Sequence, residues 1–137
     1  THRLSVVNAG HPYPLILRRN GQVEEFAKSS SGLPLAIHAD WEYECAETTL
    51  ELGETVIMYT DGVSDAANPA GERFTDARLR KALAHESGSP KTIGESLILQ
   101  VRDHVAGQSQ FDDITLLSFG RIVRKPDRQE SGQPRTA

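Results

Sequence analysis

The chain has 137 residues, 37% of them hydrophobic, with 15 Lys and Arg against 19 Asp and Glu for a net charge of −4, enough for one domain or part of one. Residues 1–120 carry 10 basic and 17 acidic side chains, whereas residues 121–137 carry 5 and 2; an acidic body excludes nucleic acid as a main partner, because phosphate backbones need clustered Lys and Arg. One cysteine, Cys45, excludes an internal disulfide and fits a reducing, cytoplasmic setting, and no apolar run nears the ~20 residues of a membrane span, so no membrane contact is expected from this segment.

The chain begins with Thr rather than Met and enters a strand at once, at Arg3 to Ala9, as a fragment or a processed product would. Gly10-His11-Pro12 breaks that strand. Two further strands, residues 15–19 and 22–26, flank Asn20-Gly21, the pair that tolerates positive φ at both central positions of a type I′ hairpin. Arg18 and Arg19 beside it read as a solvated edge. Residues 28–32 read as a Ser-rich loop that continues through Gly32-Leu33-Pro34-Leu35. Trp41 and Tyr43 are expected to pack on a sheet. Residues 42–50 look like a half-exposed strand in which Cys45 is a small buried hydrophobe. Gly53-Glu54 then turns the chain into a buried strand over residues 55–60.

A loop containing Asn68-Pro69 and Gly71 follows. The Leu79/Leu83 spacing predicts a helix starting near Thr75. A second helix is better marked. Ser89 can cap it, Pro90 can occupy its first turn, and Ile93, Leu97, Val101 and Val105 recur every four residues on one face before Gly107 ends it. A last strand spans residues 114–119. From Arg121 the chain is polar and aperiodic, with Pro and Gly, as a disordered tail would be. Strands and helices are segregated, so the fold class is α+β, with helices packed on one sheet face.

Two acidic turns carry the chemistry: Tyr59-Thr60-Asp61-Gly62-Val63-Ser64-Asp65-Ala66 and Gln110-Phe111-Asp112-Asp113-Ile114-Thr115-Leu116-Leu117. Each sets aspartate at the border of a strand-forming run. If those strands are neighbours, Asp61 and the Asp112/Asp113 pair converge at one sheet edge. Carboxylates gathered there repel one another unless cations lie between them, and hard oxygen ligands favour Mg²⁺ or Mn²⁺. Gly62 removes a side chain where a ligand could approach. Either turn alone is also an ordinary strand terminus with a solvated carboxylate. His11 is read as a polar turn residue, with assistance to phosphate or proton transfer as the alternative. His2, His38, His85 and His104 show no ligand spacing and read as surface residues.

Four ordered stretches carry a resemblance: residues 7–14 (Val-Asn-Ala-Gly-His-Pro-Tyr-Pro), 32–35 (Gly-Leu-Pro-Leu), 52–66 through the first acidic turn, and 110–117. Over residues 3–120 the chain resembles the C-terminal half of a metal-dependent protein serine/threonine phosphatase of the bacterial SpoIIE/RsbU-like branch of the PPM-type family. The resemblance implies two stacked antiparallel sheets flanked by helices, with the N-terminal part of the domain absent, and a pair of Mn²⁺ or Mg²⁺ ions that activate water against phosphoserine or phosphothreonine. By motif match it makes Asp61 and Asp112 metal ligands and catalytic residues. Asp113 fits better as a neighbour of the site, with a ligand role as the alternative, and Gly62 lies in the metal motif. Ala36 stands where the branch usually has Gly, and Ser64-Asp65 replaces the usual Thr-Glu; neither change removes a ligand. The motifs that supply the family's bridging Asp do not occur in residues 1–60. The resemblance therefore implies residues 1–120 as the C-terminal portion of a phosphatase domain, inactive alone, with residues 121–137 as a tail. It further implies a phosphoprotein substrate such as a STAS-type anti-sigma antagonist, an upstream sensor or receiver domain, and self-association through cut sheet edges. A non-catalytic, partner-binding module on the same fold is the rival reading. A phosphoryl-transfer enzyme with an aspartyl-phosphate intermediate is a further one, and the helix-poor first 60 residues argue against it.

Overall fold

The computed structural model describes residues 2–108 and 112–122. In chain order the elements are β1 (Arg3–Ala9), β2 (Leu15–Leu17), β3 (Val23–Glu25), β4 (Ser31–Gly32), β5 (Cys45–Thr49), β6 (Thr55–Tyr59), α1 (Asp61–Ser64), α2 (Thr75–Ala84), α3 (Pro90–Val105) and β7 (Leu116–Gly120). The strands form two sheets, ordered β4-β1-β5 and β3-β2-β6-β7. The class is α+β, as the segregated patterns imply. One feature departs from the all-antiparallel expectation: β4, inside a stretch read as loop, pairs with β1 in parallel through Asn8↔Ser31 and Ala9↔Gly32. Two residues hold too little pattern to be read as a strand. The expected tail from Arg121 falls mostly on residues 123–137, outside the described residues.

Two apolar layers follow from the strand pattern. Leu15 and Leu17 of β2 and Ile57 and Tyr59 of β6 face the helices and bury against Leu79, Leu83, Ile93 and Leu97. The alternate residues, Ile16 and Val56, face the smaller sheet and pack with Phe26, Leu50 and the half-buried Leu4, Val6, Ala46 and Met58. Strands covered on both faces need a continuous apolar run rather than alternation, which is what residues 55–59 display. β1 and β5 alternate exposed and half-buried positions instead. Cys45 falls on the exposed phase and is solvent-accessible, not buried as expected; its neighbour Ala46 turns inward. Tyr43 and Trp41 close over β4, and a Cβ on Gly32 would meet both rings. The smaller sheet covers only part of the larger one. Leu117 and Phe119 of β7, opposite Met58 and Val56 in the ladder, are 54% and 38% exposed.

The hairpin between β2 and β3 is not type I′. Gly21 N–H donates to Arg18 O (2.9 Å) and Arg18 N–H to Gln22 O (2.8 Å). Gly21 takes φ +83°, whereas Asn20 keeps negative φ and accepts from Gln22 N–H at 3.0 Å. A two-residue turn would pair Leu17 with Glu24. The observed register pairs Leu17 with Val23, keeping both on the helix-facing side. Core burial wins over turn preference, because a one-residue slip reverses every side chain.

Arg18 is no solvated edge either. Its guanidinium donates to Glu24 Oε2 (2.8 Å), Glu54 Oε2 (3.0 Å), Thr48 Oγ1 (3.2 Å) and Thr49 O (3.2 Å). Its side chain is 19% exposed and that of Glu54 7%. Burial alone would raise the Glu54 carboxyl, but the Glu51 N–H and the Arg18 guanidinium outweigh it and hold the group below its ordinary value. The pair bolts β2 to the connection between β5 and β6.

α3 follows its sequence signals closely. Ser89 Oγ accepts from Thr92 N–H at 3.2 Å, Pro90 opens the helix, and Ile93, Leu97, Val101 and Val105 are buried. Gly94 lets α3 press on β7, where a Cβ would stand 3.1 Å from Ser118 Cβ. The left-handed residue at the helix end is Ala106 (φ +50°), with Gly107 following at φ +82°.

Candidate functional site

The site is built by the last two strands of the larger sheet. β6 and β7 run antiparallel, with Tyr59 opposite Leu116 and Thr55 opposite Gly120. The chain therefore leaves β6 toward Asp61 at the same sheet edge where Asp112 and Asp113 bring it into β7. The strands are neighbours, as the convergence requires, and the two acidic turns are adjacent.

Packing fixes each turn. Tyr59 is buried in the helix-side core, and its hydroxyl donates to Asp76 Oδ1 on α2 at 3.0 Å. Burial, and then the Asp76 charge, push its phenol well above the usual range, so it serves as a neutral donor. Thr60 continues the extended backbone (φ −83°, ψ 159°) into α1, a helical turn sited where the sequence suggested loop. Val63 on α1 is wholly buried and plugs the turn into the core. On the other side Ile114 and Leu116 are half-buried against the same core.

Thr60 joins the turns. Its N–H donates to Thr115 O at 3.1 Å, its Oγ1 donates to Asp113 O at 2.9 Å, and the same oxygen accepts from Thr115 N–H at 3.1 Å. Gly62 has a packing role beside any approach of a ligand: the space its side chain would fill is taken by the Asp113 carbonyl, whose carbon lies 3.0 Å from a Cβ built there. Asp61 Oδ1 accepts from Gly62 N–H at 3.0 Å, and Asp112 Oδ1 from Asp113 N–H at 2.8 Å. The side chains of Asp61, Asp112 and Asp113 are exposed. Beside them opens a pocket of about 270 Å³ whose lining includes Gly62, Asp65, Ala66, Asn68, Val105 and Asp112.

The donor chemistry suits a hard divalent cation, since exposed anionic oxygens on two adjoining turns are the ligand type that Mg²⁺ and Mn²⁺ take. The number falls short of a shell. Among the described residues no group of three or more His, Cys, Asp and Glu side chains is placed to hold a metal ion.

The histidines divide. His11 closes a turn, with its N–H to Asn8 Oδ1 (2.8 Å) and its carbonyl accepting from the buried Asn8 amide (2.9 Å); its ring is exposed, as a turn residue's would be. His104 is more than a surface residue. Half-buried, it lies edge-on to Phe74, and its Nε2 lies 2.9 Å from Glu72 O, tying the connection before α2 to α3. Asp65 pairs with Arg73 (3.0 Å) across the same connection. Sequence reasoning passed over the bridging role of Thr60; its signal is a hydroxyl residue at the end of a buried strand, one position before Asp-Gly.

The family described as Stage II sporulation protein E (SpoIIE) matches residues 1–121. Protein IcfG of Synechocystis sp. is 31% identical over 118 residues, covering 86% of this chain and 18% of that protein. Among solved structures, the phosphatase domain of the cell fate determinant SpoIIE from Bacillus subtilis, presoaked with Mn, superposes with a TM-score of 0.66 at 20% identity over 96% of this chain and 56% of that one. The SiaA-PP2C domain of Pseudomonas aeruginosa gives 0.67 at 25% identity, covering 87% and 46%. The RsbU and RsbW domains of Rv1364c from Mycobacterium tuberculosis give 0.63 at 20% identity, covering 92% and 34%. This chain thus spans about half of the first two domains and under a fifth of IcfG. With a family match over nearly its whole described length and the two-sheet fold of PP2C phosphatase domains, the chain belongs to the SpoIIE family.

Proposed function

We propose that the chain is the C-terminal portion of a metal-dependent protein serine/threonine phosphatase domain, within residues 1–120, and that Asp61 and Asp112 are its contribution to a Mn²⁺ or Mg²⁺ centre. The observation that carries the reading is the β6–β7 pairing, which brings both acidic turns to one sheet edge. Bound there, divalent cations would supply an activated water and neutralise charge on a phosphate ester. The chain's own residues hold and orient. Asp61 and Asp112 each have one carboxylate oxygen fixed by a local backbone N–H, which sets the carboxyl plane. The shortfall of donors is made up by the part of the domain that this chain does not span. The substrate class is a phosphoserine or phosphothreonine protein, of which a STAS-type anti-sigma antagonist is the candidate. Regulation would come from an upstream sensor or receiver domain, and the setting is the cytoplasm. Among the described residues no helix is long and apolar enough to cross a membrane.

A second reading is a phosphatase-like module that binds a partner without catalysis. It shares the fold and the adjacent acidic turns and differs in whether the rest of the domain completes the donor set. The two separate in the complete domain. Mn²⁺-dependent hydrolysis of a phosphopeptide is expected to be lost in Asp61→Asn and Asp112→Asn. Asp113→Asn is expected to cost about 10–100-fold, as for a residue that orients ligands. Near wild-type turnover in Asp61→Asn would sink the assignment.

A further inference from the structure

Thr60 occupies the position that caps α1, yet its side chain makes no cap hydrogen bond there. Ser89, in the same position at α3, accepts from Thr92 N–H as a cap residue should. The hydroxyl of Thr60 points the other way, across to the strand entering β7. There it has two partners and uses both capacities of a hydroxyl: it donates to Asp113 O at 2.9 Å and accepts from Thr115 N–H at 3.1 Å. Regular pairing of the strands ends at Tyr59↔Leu116. One more backbone bond, Thr60 N–H to Thr115 O at 3.1 Å, carries the ladder a step further. Beyond it the Thr60 hydroxyl is the link that reaches Asp113. The close approach of the Asp113 carbonyl to Gly62 shows that the two turns are held in contact rather than merely near.

We propose that Thr60 is the positioning residue of the acidic centre: its hydroxyl fixes the second acidic turn against the first and so sets the spacing of the Asp61 and Asp112 carboxylates. This rests on the reading that those carboxylates hold a divalent cation. Both capacities of the Thr60 hydroxyl are taken by the backbone of Asp113 and Thr115. It acts through the backbone of Asp113 and Thr115, as groups that orient ligands do, where loss typically costs about 10–100-fold in metal affinity. Both hydrogen bonds lie at the surface, where water can replace them, so the cost falls on geometry more than on folding.

The test uses the complete domain that contains this chain, with Mn²⁺ alone as probe, followed through the electron paramagnetic resonance signal of free Mn²⁺. Thr60→Val keeps the shape and removes the hydroxyl; Thr60→Ser keeps the hydroxyl. The valine variant is expected to bind Mn²⁺ about tenfold more weakly and the serine variant within about twofold of the wild type. Independently of metal, amide exchange at Thr115 is expected to quicken in Thr60→Val and not in Thr60→Ser. Asp61→Asn and Asp112→Asn are the reference. If they bind Mn²⁺ as the wild-type domain does, or if the wild-type domain binds none, the metal reading fails, and the Thr60 proposal falls with it. If they lose binding while Thr60→Val retains it, Thr60 does not position the site. Equal losses in the valine and serine variants, or unchanged Thr115 exchange in Thr60→Val, also overturn the proposal.

Discussion

Gly62→Ala tests how tightly the two acidic turns are fitted. A Cβ at residue 62 would stand 3.0 Å from the Asp113 carbonyl carbon and closer still to its oxygen. Carbon pairs are at ease at about 3.5–4.0 Å, so the Asp113 carbonyl must retreat by about 0.5–1 Å. Two effects oppose each other. Alanine is the better helix former by roughly 0.8–1.0 kcal/mol, and residue 62 lies within α1 with no positive φ to forbid it. Overpacking of a fitted contact costs about 1–3 kcal/mol. The balance is a net loss of up to about 2 kcal/mol, or a melting temperature lower by several degrees in a domain of this size. The larger effect falls on function. The displaced group is the backbone between Asp113 and the strand it enters, so the Asp112 carboxylate moves with it, and a misplacement of about 1 Å can cost about 100-fold. Thermal unfolding of this chain and Mn²⁺-dependent phosphopeptide hydrolysis by the complete domain measure the two separately. An alanine variant with unchanged melting temperature and unchanged turnover would refute the reasoning, because the Asp113 carbonyl would then be free to yield.

Other outcomes follow from particular contacts. Leu97, wholly buried among the helix-side core residues, should cost about 2–5 kcal/mol as Leu97→Ala, read as a lower denaturation midpoint, whereas Leu99→Ala two residues on, 57% exposed, should stay within about 0.5 kcal/mol. Ser89→Ala removes the cap bond to Thr92 N–H and should cost about 1 kcal/mol, checked by urea unfolding. Acid should destabilise the fold through Glu54 and Glu25, whose carboxyls are both held low, Glu25 chiefly by Lys28. A lowered folded value means stability is fully present above the ordinary value of 4.5 and is lost as pH falls through the folded one. Melting temperature measured from pH 6 down to about pH 3 should therefore fall less steeply in Glu54→Gln than in the parent; parallel curves would remove Glu54 from the account.

Legibility in the sequence tracked the number of residues that had to agree. β1 is readable in full and α3 from its cap to its last buried position, because cap, proline and four apolar positions at helical spacing all point the same way. Short elements set by tertiary contact were not. β4 exists because Asn8 and Ala9 offer it a ladder, and α1 because Val63 finds a hole in the core. Arg18 reads as a surface charge because three of its four partners, Glu54, the Thr48 hydroxyl and the Thr49 carbonyl, lie 30 to 36 residues away in sequence. Cys45 was misplaced because a buried cysteine is the commoner case, while the alternation of its own strand put it outside. The acidic turns were legible as a pair only through strand neighbourhood; the hydroxyl that locks them is a single residue with no periodicity to announce it.

The site and the open part of the sandwich rest on different layers, and this decides what each can disturb. Leu117 and Phe119 are exposed on the face toward the smaller sheet, so that interface is loosely closed in this chain. The acidic turns are mounted on the opposite face. Tyr59 and Val63 hold the first turn, Ile114 and Leu116 brace the second, and all four meet one continuous core with Leu79, Leu83, Ile93 and Leu97. Interior packing transmits displacement because it lacks slack. A cavity opened under α3 therefore reaches both acidic turns through direct contacts, whereas a change at Val6 or Ala46 must first pass through the β-sheet. The geometry of the acidic edge is thus a property of the helix-covered layer, the part of the fold whose sequence signals were strongest.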